Sequence, residues 1–160
     1  MFVAFFESIK YVGHLVPISF LRIYMGYLYL ESASMKIDGD FLYEPRLAAA
    51  ITEYLPHSIA PSWYIGWLES VVVPHWRIFA YSMTYLEFVI GVSFLVGFLV
   101  RPVALLGALL ALNMCYISAS AFAPLYELHF ALFLMLGFMG AGRCLGFDYF
   151  FFKRNRGIWW

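Results

Sequence analysis

Residues 77–100 read RIFAYSMTYLEFVIGVSFLVGFLV, an apolar run that starts at Arg77, stops before Arg101 and holds one internal charge, Glu87. About 20 apolar residues carry a helix across a hydrocarbon core about 30 Å thick, so this stretch reads as a membrane span. Working outward, the same test finds three more. Pro102 opens a span over 102–122 and Pro124 one over 124–142, both prolines where a first helical turn tolerates them. Upstream, His14 to Lys36 supply a span over 14–36. The expected fold is all-α, an integral membrane four-helix bundle in a single domain, 1–160. Residues 37–76 form a long extracytoplasmic loop between helices 1 and 2, and 143–160 a cytoplasmic basic tail. Short connections at Arg101-Pro102 and Ala123-Pro124 make the last three helices antiparallel neighbours.

Composition points the same way. The chain is 64% hydrophobic, 21% aromatic and 12% charged, whereas soluble domains are about half apolar and about a quarter charged. Net charge is zero, which implies no nucleic-acid partner; the partner expected first is the lipid bilayer. Cys115 and Cys144 lack metal-type spacing and read as apolar fillers. Glu7 and Lys10 lie in a semi-polar lead with no small-residue cleavage site after it, so the first apolar segment is expected to stay as a helix. Lys10, Arg101, Arg143, Lys153, Arg154 and Arg156 fall on one side and Lys36, Arg46 and Arg77 on the other, which orients the chain N-in, C-in. The tail Lys153-Arg154-Asn155-Arg156 decides most of this, and Trp159-Trp160 suit an interfacial anchor. Within the outer loop, Leu47–Leu55 reads as a short amphipathic helix ended by Pro56, and Trp63–Val73 as a segment lying on the bilayer. Two readings of that loop stay open, a lid packed over the bundle and a docking surface.

Polar residues inside the spans carry the functional argument, because an ionisable group in hydrocarbon costs roughly 2.5–3.5 kcal/mol on insertion scales. Counted at about 1.5 Å per residue, Arg22 lies about 12 Å into its helix, Glu87 about 15 Å and Asn113 about 16 Å. Arg22 and Glu87 are therefore expected to meet as an intramembrane polar pair near the midplane, either as a salt bridge that fixes helix register or as a pair that also polarises a ligand. Asn113 reads as an interhelical hydrogen-bond donor or a ligand contact. Nearer the outer face, Glu31, Lys36 and His129 line an expected outward-opening pocket. Tyr24, Tyr27, Tyr29, Tyr81 and Tyr85 add hydroxyls for a carbonyl ligand and rings for an apolar tail. His129 lacks a second histidine at ligand spacing, so no metal site is expected. Glycines 26, 91, 97, 107, 137, 140 and 142 read as close-packing positions. No phosphate loop, dinucleotide fingerprint, C-x-x-C or covalent haem motif occurs, so no cofactor is expected to be bound covalently.

The order of these features resembles the DoxX/DoxD-like family of four-helix membrane proteins. Helix 1 offers Arg22-x-x-x-Gly26 and Ala33-Ser34-Met35-Lys36; helix 2 offers Glu87-x-x-x-Gly91, Gly97 and Arg101; and Gly142-x-x-x-Gly146-x-Asp148 is similar to the family's closing signature. The long first loop, and Glu31-Ser32 where a small residue is usual, depart from the common pattern. The loop looks more like the DoxD branch, whose members resemble the membrane subunit of thiosulfate:quinone oxidoreductase. That resemblance implies a bacterial or archaeal cytoplasmic membrane, quinone as electron acceptor and other membrane-complex subunits as partners, one of which supplies the electrons.

Two functions follow as expectations. In the first, the chain is a quinone-interacting subunit of a membrane oxidoreductase, with a carbonyl near Arg22 or His129 and Glu87 or Glu31 handling protons. In the second, it is a non-catalytic assembly subunit, its aromatic surface packed on other chains. A transporter is disfavoured, since there are no inverted repeats, interrupted spans or charge-lined path.

Overall fold

Pro17 sits in the first turn of a helix that then runs without interruption from Val16 to Asp38, the position where a proline's missing N–H costs nothing. This is α1 in the computed structural model, which describes residues 15–118 and 120–154. The expected start of the first span at His14, the lead with Glu7 and Lys10, the tail residues Asn155 and Arg156 and the Trp159-Trp160 anchor lie outside the described residues. The other helices are α2 (Arg46–Tyr54), α3 (Ser62–Trp67, continued by a wider turn over Leu68–Val72), α4 (Trp76–Val96), α5 (Val100–Ile117), α6 (Ala123–Met139) and α7 (Asp148–Arg154). No strand occurs among the described residues, so the all-helical expectation holds.

The helix ends differ from the sequence reading in an instructive way. Arg101-Pro102 is not a turn; both residues lie inside the first turn of α5. The chain reverses earlier, where Gly97 at φ +72° closes α4 and Leu99 takes φ +53°. Glycine enters that left-handed region without a steric penalty, whereas a leucine there is strained by about 1–3 kcal/mol. Likewise α5 stops at Ile117 and Pro124 sits inside α6, which begins at Ala123. The sequence expectation places the boundaries at the two prolines, but a proline tolerated in the first turn lies after the boundary.

α1 runs antiparallel to α4 and crosses it at glycine. A Cβ on Gly91 would stand 2.8 Å from the Leu30 nitrogen, and one on Gly26 2.9 Å from the Leu95 nitrogen. Only a bare Cα lets the two backbones come so close. α5 and α6 form a second antiparallel pair, with Gly107 against the Phe133 ring and Gly137 against Ala104. The two pairs close on Met25, Ile90, Phe94, Phe133 and Leu136, all essentially buried, with Phe133 edge-on to Tyr29 at 5.1 Å and to Phe94 at 5.5 Å. A smaller core, built on Leu47, Ile51, Leu55, Tyr64, Leu68 and Val72, holds α2 and α3 as a cap over one end of α4 and α5. Met83 packs against both cores.

Among the described residues two helices, α4 and α5, are long and apolar enough to cross a membrane. α6, at 17 residues, is apolar but shorter. α1 has the length at 23 residues but spends it on Arg22, Glu31, Lys36 and Asp38.

Because the crossing leaves no room for a side chain, Gly91→Leu is expected to destabilise the protein by about 1–3 kcal/mol, the usual range for overpacking. The exposed Gly66, which has open space around it, is expected to accept Ala with no more than about 0.5 kcal/mol of change. Thermal unfolding of the two variants in the same detergent checks the contrast.

Candidate functional site

The expected Arg22–Glu87 pair does not form. From the glycine crossing, each charge lies four residues toward its own helix's N-terminus, and in antiparallel helices those directions diverge. Arg22 lies level with Gly97, ten residues or about 15 Å along α4 from Glu87. Each charge has found other partners, and the molecule holds two buried polar centres.

The first sits at the end where α4 turns into α5. Arg22 is fully buried. Its Nη1 donates to the Ala141 carbonyl at 3.0 Å and its Nη2 to the Leu145 carbonyl at 2.8 Å, with Cys144 O also within 3.4 Å of Nη1. Ser19, one turn before it, lies 2.9 Å from the Cys144 carbonyl. Asp148, equally buried, accepts from the backbone N–H of Leu99 at 2.7 Å and of Val100 at 3.0 Å. Burial pushes the Asp148 carboxyl above its ordinary value, although these two N–H groups and the nearby Arg22 and Arg101 pull against the shift. Side chains at Gly97 or Gly146 would run into the Arg22 guanidinium, and one at Gly142 into the Asp148 carboxylate. Both left-handed non-glycine residues, Leu99 and Leu145, are held here by the buried charges themselves. Main-chain carbonyls take both Nη atoms of the guanidinium and main-chain amides take both carboxylate oxygens, while the buried Arg22 Nε is left without an acceptor among the described residues. This centre ties the C-terminal loop to α1 and to the α4–α5 turn.

The second centre lies at the opposite end, under the cap. Glu87 is 5% exposed, and its two oxygens lie 2.5 and 2.6 Å from Lys36 Nζ. Ser32 donates to Oε2 at 3.1 Å. Lys36 is more open than its partner, 20% against 6% by side chain, and its ammonium stands over the Phe41 ring at 5.6 Å. Tyr29 and Tyr126 are both within electrostatic reach of Glu87, and the half-buried His129 ring packs between them, 6.0 Å from Tyr29 and 6.3 Å from Tyr126. An ammonium, a carboxylate, two phenols and an imidazole from α1, α4 and α6 are thereby collected. The arrangement can donate hydrogen bonds and hold a proton in one place.

Lys36, Glu87 and His129 thus meet as ligand candidates, though the charge partner is Lys36 rather than Arg22. Glu31 is half-buried and takes no part in the pair. Of the five tyrosines, Tyr29 is buried, while Tyr24, Tyr27 and Tyr85 are exposed; Tyr81 stacks on Tyr85 at 6.2 Å. Asn113 bonds the cap rather than a neighbouring long helix, its Oδ1 accepting from Tyr64 O–H at 2.9 Å. Burial, helped by Tyr116, pushes the Tyr64 phenol up to about 12, so it stays a donor at any physiological pH. Tyr126, Tyr64 and Asp148 were not foreseen as site residues. Asp148 alone had a signal, its place at the end of the Gly142-x-x-x-Gly146-x-Asp148 signature.

An all-helical chain with two membrane-capable helices and a buried ammonium–carboxylate pair defines a class of small membrane-associated helical protein. Its family follows from sequence comparison: the DoxX profile matches residues 18–120, and the chain belongs to the DoxX family. The matched segment contains Arg22, Lys36, Glu87 and Asn113, and stops before α6 with His129 and before Asp148. Comparison with curated proteins and with solved structures finds no match.

Lys36→Met leaves Glu87 buried without its counter-charge and is expected to cost about 3–5 kcal/mol, with much of the loss recovered in the Lys36→Met/Glu87→Gln double variant. A double-mutant cycle on thermal unfolding measures the recovery, and additive losses would contradict it. Asp148→Ala strands two amides, each worth about 1–3 kcal/mol when buried and unpaired. Limited proteolysis is expected to cut the chain after α6 faster in that variant than in the parent.

Proposed function

We propose that this chain is a multi-pass integral membrane subunit that interacts with quinone within a bacterial or archaeal membrane oxidoreductase complex. Its four long helices form the membrane bundle, with both termini cytoplasmic. The bilayer reading draws support from large apolar side chains turned outward along all four helices, among them Phe20, Ile78, Leu105, Leu109 and Phe138. A soluble monomer rarely exposes such continuous apolar surface. With that orientation Arg101, Arg143, Lys153 and Arg154 gather at the cytoplasmic end beside the Arg22–Asp148 centre, as the positive-inside rule asks, and the Lys36–Glu87 centre opens outward beneath the cap.

The Lys36–Glu87 pair ringed by Tyr29, Tyr126 and His129 is the observation that carries the quinone reading. A quinone carbonyl needs donors, and its reduction needs protons. The ammonium of Lys36 and the phenols are donors; Glu87, held by Lys36 and Ser32, is placed to keep or release a proton. The donor set fits. When bound, a quinone supplies two-electron, two-proton redox chemistry, and a partner subunit supplies the electrons. The chain's own share is to orient the ring, to exclude bulk water with the cap and to hold a proton at the Glu87 carboxylate.

A second reading, a non-catalytic assembly subunit, is favoured by a different feature. An apolar groove of about 510 Å³ runs along Phe88, Val92, Val96, Phe98, Val103 and Phe151, wide enough for another chain or for lipid. The two readings part on one experiment. Purified protein titrated with a short-chain benzoquinone, followed by tryptophan quenching, is expected to show saturable binding that Glu87→Gln or Lys36→Met weakens about tenfold, which is about 1.4 kcal/mol. Absence of saturable binding, with membrane-complex partners still co-purifying, would leave the assembly reading standing instead.

A further inference from the structure

A cavity of about 180 Å³ lies between the cap and the long helices, walled by Ile51, Leu68, Phe79, Leu86, Leu110 and Met114. It occurs where the two cores meet, since the cap's residues form one cluster and the helices' another. For scale, an engineered apolar cavity of about 150 Å³ is enough to take up benzene. This one is not wholly apolar. Asn113 lines it, and the Asn113 carbonyl oxygen is already engaged by Tyr64 O–H at 2.9 Å. Fixing the oxygen fixes the amide: its NH₂ group, a two-hydrogen donor, is the end left without a partner among the described residues. The exposed Ser82 and Trp67 also line the cavity and mark its mouth.

We infer that this cavity is a binding site for a single uncharged six-membered ring bearing a carbonyl, with the Asn113 amide as the donor that selects it. Volume limits the ligand to one ring. The apolar wall excludes a charged group, because a charge desolvated there has no counter-charge within the cavity. Asn113 is half-buried, and its N–H groups, which no protein acceptor among the described residues meets, favour a ligand with an acceptor over a plain hydrocarbon. Tyr64 is a positioning residue: it belongs to the cap, touches Asn113 and sets which end of the amide faces inward. The cavity also adjoins Leu86, which precedes Glu87 in α4 and faces a different side of that helix. The inference rests on the quinone reading for its natural ligand, and on the cavity alone for its chemistry.

Acetophenone and toluene, equal in ring and different in the carbonyl, separate the possibilities. Acetophenone quenching of Trp67, identified by its loss in Trp67→Phe, is expected to saturate, with toluene as a weaker competitor. Asn113→Leu keeps the volume and removes the donor; the preference for acetophenone over toluene is expected to fall at least fivefold. Tyr64→Phe, which releases the amide to rotate, is expected to lower the same preference two- to threefold and serves if Asn113→Leu does not fold. Leu110→Trp fills the space and is expected to abolish saturable quenching. An acetophenone preference untouched by Asn113→Leu and Tyr64→Phe, or quenching that still saturates in Leu110→Trp, would overturn the inference. Tetramethyl-1,4-benzoquinone then tests the natural ligand separately. If it binds regardless of Asn113, the inference fails and the quinone reading survives. If acetophenone binds through Asn113 while the quinone does not bind at all, the site stands and the quinone reading falls.

Discussion

Everything in this molecule is arranged around the contact at which α1 and α4 touch through Gly26 and Gly91. That contact sets the register of two antiparallel helices to within a residue, and the register decides where their charges go. Arg22 precedes Gly26 by the same four residues by which Glu87 precedes Gly91, so antiparallel packing carries the two charges to opposite ends of the contact. Neither can neutralise the other. Each is therefore buried against a separate set of partners, and the protein acquires two polar centres in place of one.

The two centres solve the burial problem differently, and the difference assigns their roles. Arg22 is met by main-chain carbonyls and Asp148 by main-chain amides, groups that cannot move without undoing the turns that hold them. Leu99 and Leu145 are kept in a strained backbone conformation at those same turns, which places the strain where the buried charges compensate it. Such a centre is held by main chain on nearly every side, with Arg22 Nε its one unmet donor among the described residues. Glu87 is instead met by Lys36 and Ser32, side chains on a single helix, and Lys36 retains contact with the outside. Side-chain partners can rearrange about an incoming ligand, as main-chain partners cannot. That contrast argues for function at the cap end and for architecture at the other.

Much of the fold was legible in the sequence because hydrophobic length is a strong signal: α1, α4, α5 and α6 were each located, and so was the amphipathic α2. The boundaries were less legible, since Pro102 and Pro124 mark a first turn and not the break before it; Gly97 was the better marker. The Arg22–Glu87 pairing failed for a specific reason. Depth along a span depends on helix starts, which the sequence locates only to within several residues, whereas the R-x-x-x-G and E-x-x-x-G spacings with the glycines at the crossing place the two charges at opposite ends. Lys36 was named as a candidate without its partner. Tyr64 and its bond to Asn113 were invisible, because the cap folds back across 49 residues of chain and no local pattern records that return.

The cap turns a buried pair into a site. Without α2 and α3, the ends of α4 and α5 would leave Asn113 and Met114 uncovered. With them, the space is walled on one side by the long helices and on the other by a separate small core that packs on its own terms. Two cores that each pack well need not pack perfectly against each other, and a void at their seam is the natural result. Tyr64 spans that seam with one hydrogen bond and thereby aligns the one amide facing the void. The segment between α1 and α4, which folds into α2 and α3, is thus the element that supplies both the wall and the alignment. The Tyr64–Asn113 contact at the seam thus depends on the loop, while the ion pair belongs to the helices.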